Sequence, residues 1–91
     1  MTKYLVARRL PGITPDQLSE AASSAKRTTA VMTREGTPVQ YLRSTFIPGE
    51  ETCFCLFEGP SADAVRTANA RARLLYERII EAMHMASDDL Q

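Results

Sequence analysis

The chain has 91 residues, enough for one small domain. Its 11 basic and 11 acidic side chains balance, so the net charge is near zero. A balanced charge argues against nucleic-acid binding through phosphate contacts and against attachment to an anionic membrane surface. No stretch has the length and apolarity of a membrane span or a signal peptide, so we expect a cytoplasmic protein with two reduced cysteines.

The first half of the chain predicts a strand followed by a helix. Residues 3–9 are rich in strand-forming side chains and stop at a Leu-Pro-Gly turn signal. A helix is predicted to begin after Thr14, which can cap it, with Pro15 at its first position. Gly36 is predicted to end this helix.

The second half predicts a hairpin, a second helix and a last strand. Residues 39–47 and 52–58 alternate like strands and are joined by a short Pro-Gly turn. Ser61 is placed to cap a helix with a face of small residues. Residues 78–85 form the last predicted strand.

The element order βαββαβ predicts an α+β, ferredoxin-like fold, in which a four-stranded antiparallel sheet carries both helices on one face. Right-handed crossovers place the first and third strands centrally and the second and fourth at the edges. Residues 1–86 form this domain, and residues 87–91 form a polar tail. We expect a homodimer in which two open sheet faces pack together around a small cavity.

Alternation along the second predicted strand separates its two faces. Leu42 and Phe46 are assigned to the helix side. Tyr41, Arg43 and Thr45 are then expected on the open face.

The last predicted strand is read in the same way. Ile80 and Ala82 are assigned to the helix side, and Ile79, Glu81 and Met83 to the open face. The open face therefore combines apolar side chains with polar tips.

Tyr41, Arg43 and Glu81 are the predicted ligand-binding residues, and no catalytic residue is assigned. Arginine binds a carboxylate or phosphate through parallel hydrogen bonds, and tyrosine can orient a substrate or donate a proton. Arg43 and Glu81 stand on opposite edge strands, about 14 Å apart, so a direct pair would need a second subunit. The alternative interpretation is ordinary polarity at a dimer interface.

Cys53 and Cys55 occupy alternate strand positions about 7 Å apart, too far for a disulfide without distortion. We interpret them as core residues, with a redox or soft-metal pair as the alternative. His84, the only histidine, is interpreted as a structural or partly exposed residue. The alternative is a base or a metal ligand that acts with Met83, Met85 and the two cysteines.

Four segments resemble a small bacterial ferredoxin-like family, once known only as a domain of unknown function, that includes a nickel-binding protein. These segments are residues 38–44, 55–58, 60–65 and 78–82, and the resemblance extends over residues 3–85. It implies the ferredoxin-like fold, a homodimer and the binding of nickel.

The same resemblance implies that nickel-type members carry histidines in the second helix and in the loop that follows it. This chain has Asn69 and the pair Leu74 and Leu75 at those places. No metal-binding residue is therefore predicted.

Three hypotheses for function follow. The first is a small dimeric binding protein for a small molecule or a divalent transition metal such as nickel, the metal being implied by the resemblance alone. The second is a cofactor-free enzyme of isomerase, cyclase or monooxygenase type with its site on the open sheet face. The third is a protein-interaction module that uses the same face.

Overall fold

The computed structural model describes residues 1–90 and contains the six predicted elements. The strands form one antiparallel sheet in the order β2-β3-β1-β4, and both helices lie on one side of it. The ferredoxin-like α+β fold is thus confirmed, including the predicted central and edge strands. The elements are β1 (Thr2–Arg9), α1 (Pro15–Arg34), β2 (Gln40–Ile47), β3 (Thr52–Gly59), α2 (Ala62–Arg71) and β4 (Arg78–Ala82).

The caps predicted for the helices are present. The Gln17 amide N–H donates to the Thr14 hydroxyl at 3.1 Å, and the Gln17 side chain accepts from the Thr14 N–H at 3.0 Å. This reciprocal capping box satisfies two backbone donors that a helix start leaves free. After α1 the chain turns through Gly36, whose φ of +108° is disfavoured for other residues.

The core lies between the helices and one face of the sheet. Val6 of β1, Phe57 of β3 and Val65 of α2 are almost completely buried there. Neither helix of residues 1–90 lies on the opposite sheet face. This second face is called the open face below.

A bulge in β2 corrects the predicted faces of that strand. Tyr41 pairs with Phe57 and Arg43 pairs with Leu56, so two successive positions of β3 face three residues of β2. Leu42 is the extra residue and is 36% exposed instead of packing under the helices. Tyr41 consequently lies on the helix side, and its predicted place on the open face is wrong.

From Arg43 onward, β2 follows the prediction. Phe46 pairs with the buried Cys53 on the helix side. Thr45 pairs with Phe54, and both lie on the open face together with Arg43.

The predicted faces of β4 are also wrong, by one residue. Ile79 pairs with Val6 and packs against the core, whereas Ile80 pairs with Leu5 on the open face. Because Ile79 and Ile80 are adjacent and both apolar, alternation alone does not show which of them faces the helices. The pairing of β4 with β1 decides it. Glu81, opposite Tyr4, is therefore on the helix side of this edge strand, although it is exposed.

The last strand, β4, is shorter than predicted. β4 ends at Ala82, and residues 83–85 are not in a strand. Ser87–Asp89 forms a short 3₁₀ turn within the predicted polar tail. Gln91, the last residue of that tail, lies outside the described residues. None of the helices in residues 1–90 is long and apolar enough to cross a membrane.

The bulge assignment can be tested by single-residue deletions. Deleting Leu42 leaves Tyr41 and Arg43 adjacent on opposite faces, so we expect the free energy of unfolding to fall by no more than about 1 kcal/mol. Deleting Ser44 moves one half of β2 to the wrong face and takes Tyr41 or Phe46 out of the core, at a cost of about 3–5 kcal/mol. Urea unfolding followed by circular dichroism measures both. Equal losses for the two deletions would contradict the bulge.

Candidate functional site

The open face contains a shallow cavity of about 430 Å³. Its floor includes Leu5 of β1 and Leu56 of β3, which pair directly across the sheet centre. Arg43 of β2 lines one side, and His84, just after β4, lines the other. The cavity therefore has an apolar floor between two polar side chains from opposite edges of the sheet.

Arg43 and His84 meet above this floor. The Arg43 guanidinium contacts both ring nitrogens of His84, with 2.7 Å between Nη2 and Nδ1. A neutral imidazole nitrogen can accept from a guanidinium N–H, but it does not neutralise the positive charge. Leu56, below them, is only 5% exposed although no helix covers it.

The Arg43 charge has no acidic partner within the described part of the chain. The four ion pairs of residues 1–90 join other side chains, and Glu81 takes part in none of them. An exposed guanidinium beside apolar surface is suited to hold a carboxylate or phosphate group through parallel hydrogen bonds.

The three predicted ligand-binding residues are not brought together. Arg43 is on the open face as predicted, whereas Tyr41 is under the helices and Glu81 is on the helix side of β4. His84 takes the place opposite Arg43 instead. His84 is the chain's only histidine, and it follows Met83 just beyond the end of β4. This position beside an edge strand was the sequence feature that could have indicated a place at the open face.

A second polar cluster lies on the helix side, within the core. The Tyr41 hydroxyl is 2.7 Å from Ser44 Oγ, which is 3.0 Å from Cys55 Sγ. Cys55 Sγ is in turn 3.8 Å from Cys53 Sγ. The two cysteines are buried, as predicted, but they belong to a continuous chain of polar contacts rather than to purely apolar packing.

Arg8 completes this cluster and was missed from the sequence. It pairs with Cys53 across the β1–β3 ladder and is only 3% exposed. Its guanidinium donates to Asn69 Oδ1 at 2.9 Å and to the Leu75 carbonyl at 3.1 Å. No ion pair involves Arg8 within residues 1–90. The signal was its alternation with Tyr4 and Val6, which puts Arg8 on the buried side of β1.

These neighbours strongly shift the pKa values of the two buried thiols. The hydrogen bond from Cys53 lowers the pKa of Cys55 to about 5, with help from the positive charge of Arg8 and the Ser44 hydroxyl and against the effect of burial. The same hydrogen bond, together with burial, raises the pKa of Cys53 far above its usual range. Burial also raises the pKa of Tyr41. Of the two thiols, Cys55 therefore has the lower pKa and ionises first.

The described residues do not form a metal centre with three or more such ligands. No three histidine, cysteine, aspartate or glutamate side chains converge within residues 1–90. The sheet separates His84 from Cys53 and Cys55, so the alternative soft-metal site that joined them with Met83 and Met85 is wrong.

Comparison with known proteins identifies relatives of this chain. Residues 4–82 match a protein family described as nickel responsive protein SCO4226-like. The chain belongs to this family. The crystal structure of SCO4226 from Streptomyces coelicolor A3(2) is similar, with 33% sequence identity and a TM-score of 0.74 over 92% of this chain and 99% of that one. A search of curated proteins found no match.

Family membership confirms the resemblance inferred from the sequence. The family description carries a link to nickel, but the side chains of residues 1–90 provide no nickel centre within a single chain. Two guanidinium groups outside the ion pairs of residues 1–90 stand at these sites instead, Arg43 beside His84 on the open face and Arg8 buried in the core.

The thiolate assigned to Cys55 can be titrated directly. Because its pKa is lower in the folded than in the unfolded chain, ionised Cys55 stabilises the fold fully above the unfolded thiol pKa of roughly 8.5. This stabilisation is lost as the pH falls through about 5. We expect the ultraviolet absorbance of one thiolate at neutral pH, its loss in Cys55→Ala, and a raised titration midpoint in Cys53→Ala. Absence of thiolate absorbance from the folded wild type at neutral pH would contradict the assignment.

Proposed function

We propose that this protein is a small dimeric binding protein whose ligand site is the cavity on the open sheet face. The observation that carries the proposal is the Arg43 guanidinium, held beside His84 above Leu5 and Leu56 without a carboxylate partner in residues 1–90. The ligand class that fits is a small organic anion with an apolar body.

Each half of such a ligand has a counterpart in the cavity. A carboxylate can form charge-assisted hydrogen bonds with Arg43, which are stronger than the contact with a neutral imidazole. The apolar body would cover Leu5, Leu56 and the neighbouring Phe54, with a gain of about 25 cal/mol for each Å² removed from water. His84 would lose its contact with Arg43 and become free to donate to the ligand.

A second copy of the chain is the proposed cover of the open face. In a two-layer domain of 37 × 35 × 20 Å, the sheet face is large enough for the roughly 800 Å² per partner of a stable interface. Leu5, Phe54 and Ile80 would form its apolar centre. Packing around a two-fold axis would convert each shallow cavity into an enclosed one.

A binding role is preferred to an enzymatic one. The enzyme hypothesis relied on Tyr41 and Arg43 acting together, but these residues lie on opposite sides of the sheet. The Tyr41 hydroxyl is engaged with Ser44 under the helices, where it cannot reach a ligand beside Arg43.

The ligand class can be tested with anilinonaphthalene sulfonate, a fluorescent aromatic anion. We expect saturable binding to the wild type and a loss of at least about tenfold in affinity for Arg43→Ala, because the charge-assisted hydrogen bonds are removed. Arg66→Ala, which removes an exposed arginine from α2, is the matched control and should bind like the wild type. Equal affinities for both arginine variants would reject the site.

The dimer can be tested by native mass spectrometry of untagged protein. We expect a dimer for the wild type and a monomer for Leu5→Glu, because that substitution would bury a charge at the interface. Thr67→Glu, on the exposed side of α2, adds the same charge elsewhere and should remain dimeric. A monomeric wild type, or a dimeric Leu5→Glu variant, would contradict sheet-to-sheet pairing.

Nickel is the second candidate ligand, because the family is described as nickel responsive. Since residues 1–90 hold no cluster of three ligands, nickel binding would draw on two copies, each with His84 as its sole imidazole. With nickel added to the same samples, we expect metal on the wild-type dimer and none on His84→Ala. Unchanged uptake by His84→Ala, or by monomeric Leu5→Glu, would rule out this shared site.

A further inference from the structure

The buried cysteines form a compact pair of sulfur ligands. Cys53 Sγ and Cys55 Sγ are 3.8 Å apart, and both residues face the helices from the central strand β3. A small cavity of about 10 Å³ lies beside them, lined also by Arg8, Ser44 and Tyr41. This is about the smallest volume that holds a single water, so only a very small occupant fits.

Arg8 gives this cavity an unusual electrostatic character. Its guanidinium is buried, and its two hydrogen-bond acceptors are the uncharged oxygens of Asn69 and Leu75. A buried charge is costly unless an opposite charge compensates it. The groups near Arg8 that can become negative are the two thiols and the Tyr41 hydroxyl, whose pKa is raised by burial. An occupant that leaves a net negative charge on the sulfurs therefore fits this site best.

We propose that Cys53 and Cys55 bind one soft monovalent cation, Cu⁺, as a two-coordinate dithiolate with Arg8 as its buried counter-charge. Thiolates are the ligands that select Cu⁺. Two thiolates and one Cu⁺ carry one net negative charge, which Arg8 neutralises. A divalent ion on the same two thiolates would be neutral and would leave Arg8 uncompensated.

The protons and electrons balance without a redox partner. Each cysteine that carries a proton in the empty site releases it to solvent when copper binds, so both sulfurs coordinate as thiolates. Copper remains monovalent, and no S–S bond is made. A disulfide is disfavoured because alternate Cα atoms of an extended strand are about 6.8 Å apart, at the outer limit for such a bond.

The surroundings support an ion protected from solvent. Leu10, Leu18 and Ala25 contribute to the apolar walls of the cavity. Leu74 of the loop after α2 lines it as well, and the next residue, Leu75, holds Arg8 through its carbonyl.

The test is an anaerobic competition between the untagged protein and bathocuproine disulfonate for Cu⁺. We expect the wild type to take up one Cu⁺ per chain, and Cys53→Ala and Cys55→Ala to lose this uptake. Arg8→Met keeps both thiols, so its Cu⁺ affinity should fall at least about tenfold while its Zn²⁺ affinity is unchanged or higher. No other role of Arg8 predicts this opposite response of the two metals.

A triple variant excludes the exposed soft ligands of the C-terminal segment. Replacing Met83, His84 and Met85 by alanine should leave the stoichiometry and affinity for Cu⁺ unchanged. Arg43→Ala should also bind Cu⁺ normally, so failure of this proposal is distinguishable from failure of the open-face site.

X-ray absorption of the copper-loaded wild type decides the question even if a cysteine variant fails to fold. We expect two sulfur ligands and no nitrogen ligand. The proposal is overturned by no Cu⁺ uptake in the wild type, by uptake that survives loss of both cysteines, by uptake lost in the triple variant, or by a nitrogen-containing copper shell.

Discussion

The bulge at Leu42 is the constraint on which both polar sites depend. In a regular strand, Tyr41 and Arg43 would share a face; with one extra residue between them, they lie on opposite sides of the sheet. The Tyr41 N–H donates to Thr29 Oγ1 of α1 at 3.2 Å, so the bulge is also tied to the helix layer. The bulge thereby sends one polar side chain into the core and the other to the open face.

Arg43 and Arg8 lie on the two sides of this sheet, neither in an ion pair within residues 1–90, and their environments differ. Arg43 is exposed, so water stabilises its charge, and we propose it as the anchor for an anionic ligand. Arg8 is buried beside Cys53 and Cys55, and its positive charge is one of the causes that lower the pKa of Cys55. The same guanidinium group is thus open to water on one face and enclosed beside two thiols on the other.

The element order and sheet topology could be predicted because their signals are local. Thr14, Ser61 and Gly36 mark helix ends, and right-handed crossovers then fix the strand order. The face assignments were wrong in β2 and β4 because a bulge and the adjacent Ile79 and Ile80 are resolved only by pairing with neighbouring strands. The contacts of Arg8 with Asn69 and Leu75 join residues more than sixty positions apart, which no local pattern reports.

The position of the Tyr41 ring tests the bulge, and with it the division between the two sites, most directly. Nuclear Overhauser spectroscopy on the protein in solution measures which side chains surround that ring. We expect cross peaks between the Tyr41 and Phe57 rings, whose centroids are 5.5 Å apart, and none between Tyr41 and the Leu56 methyl groups. Cross peaks from Tyr41 to Leu56, without contacts to Phe57, would place Tyr41 beside Arg43 on the open face and contradict the division.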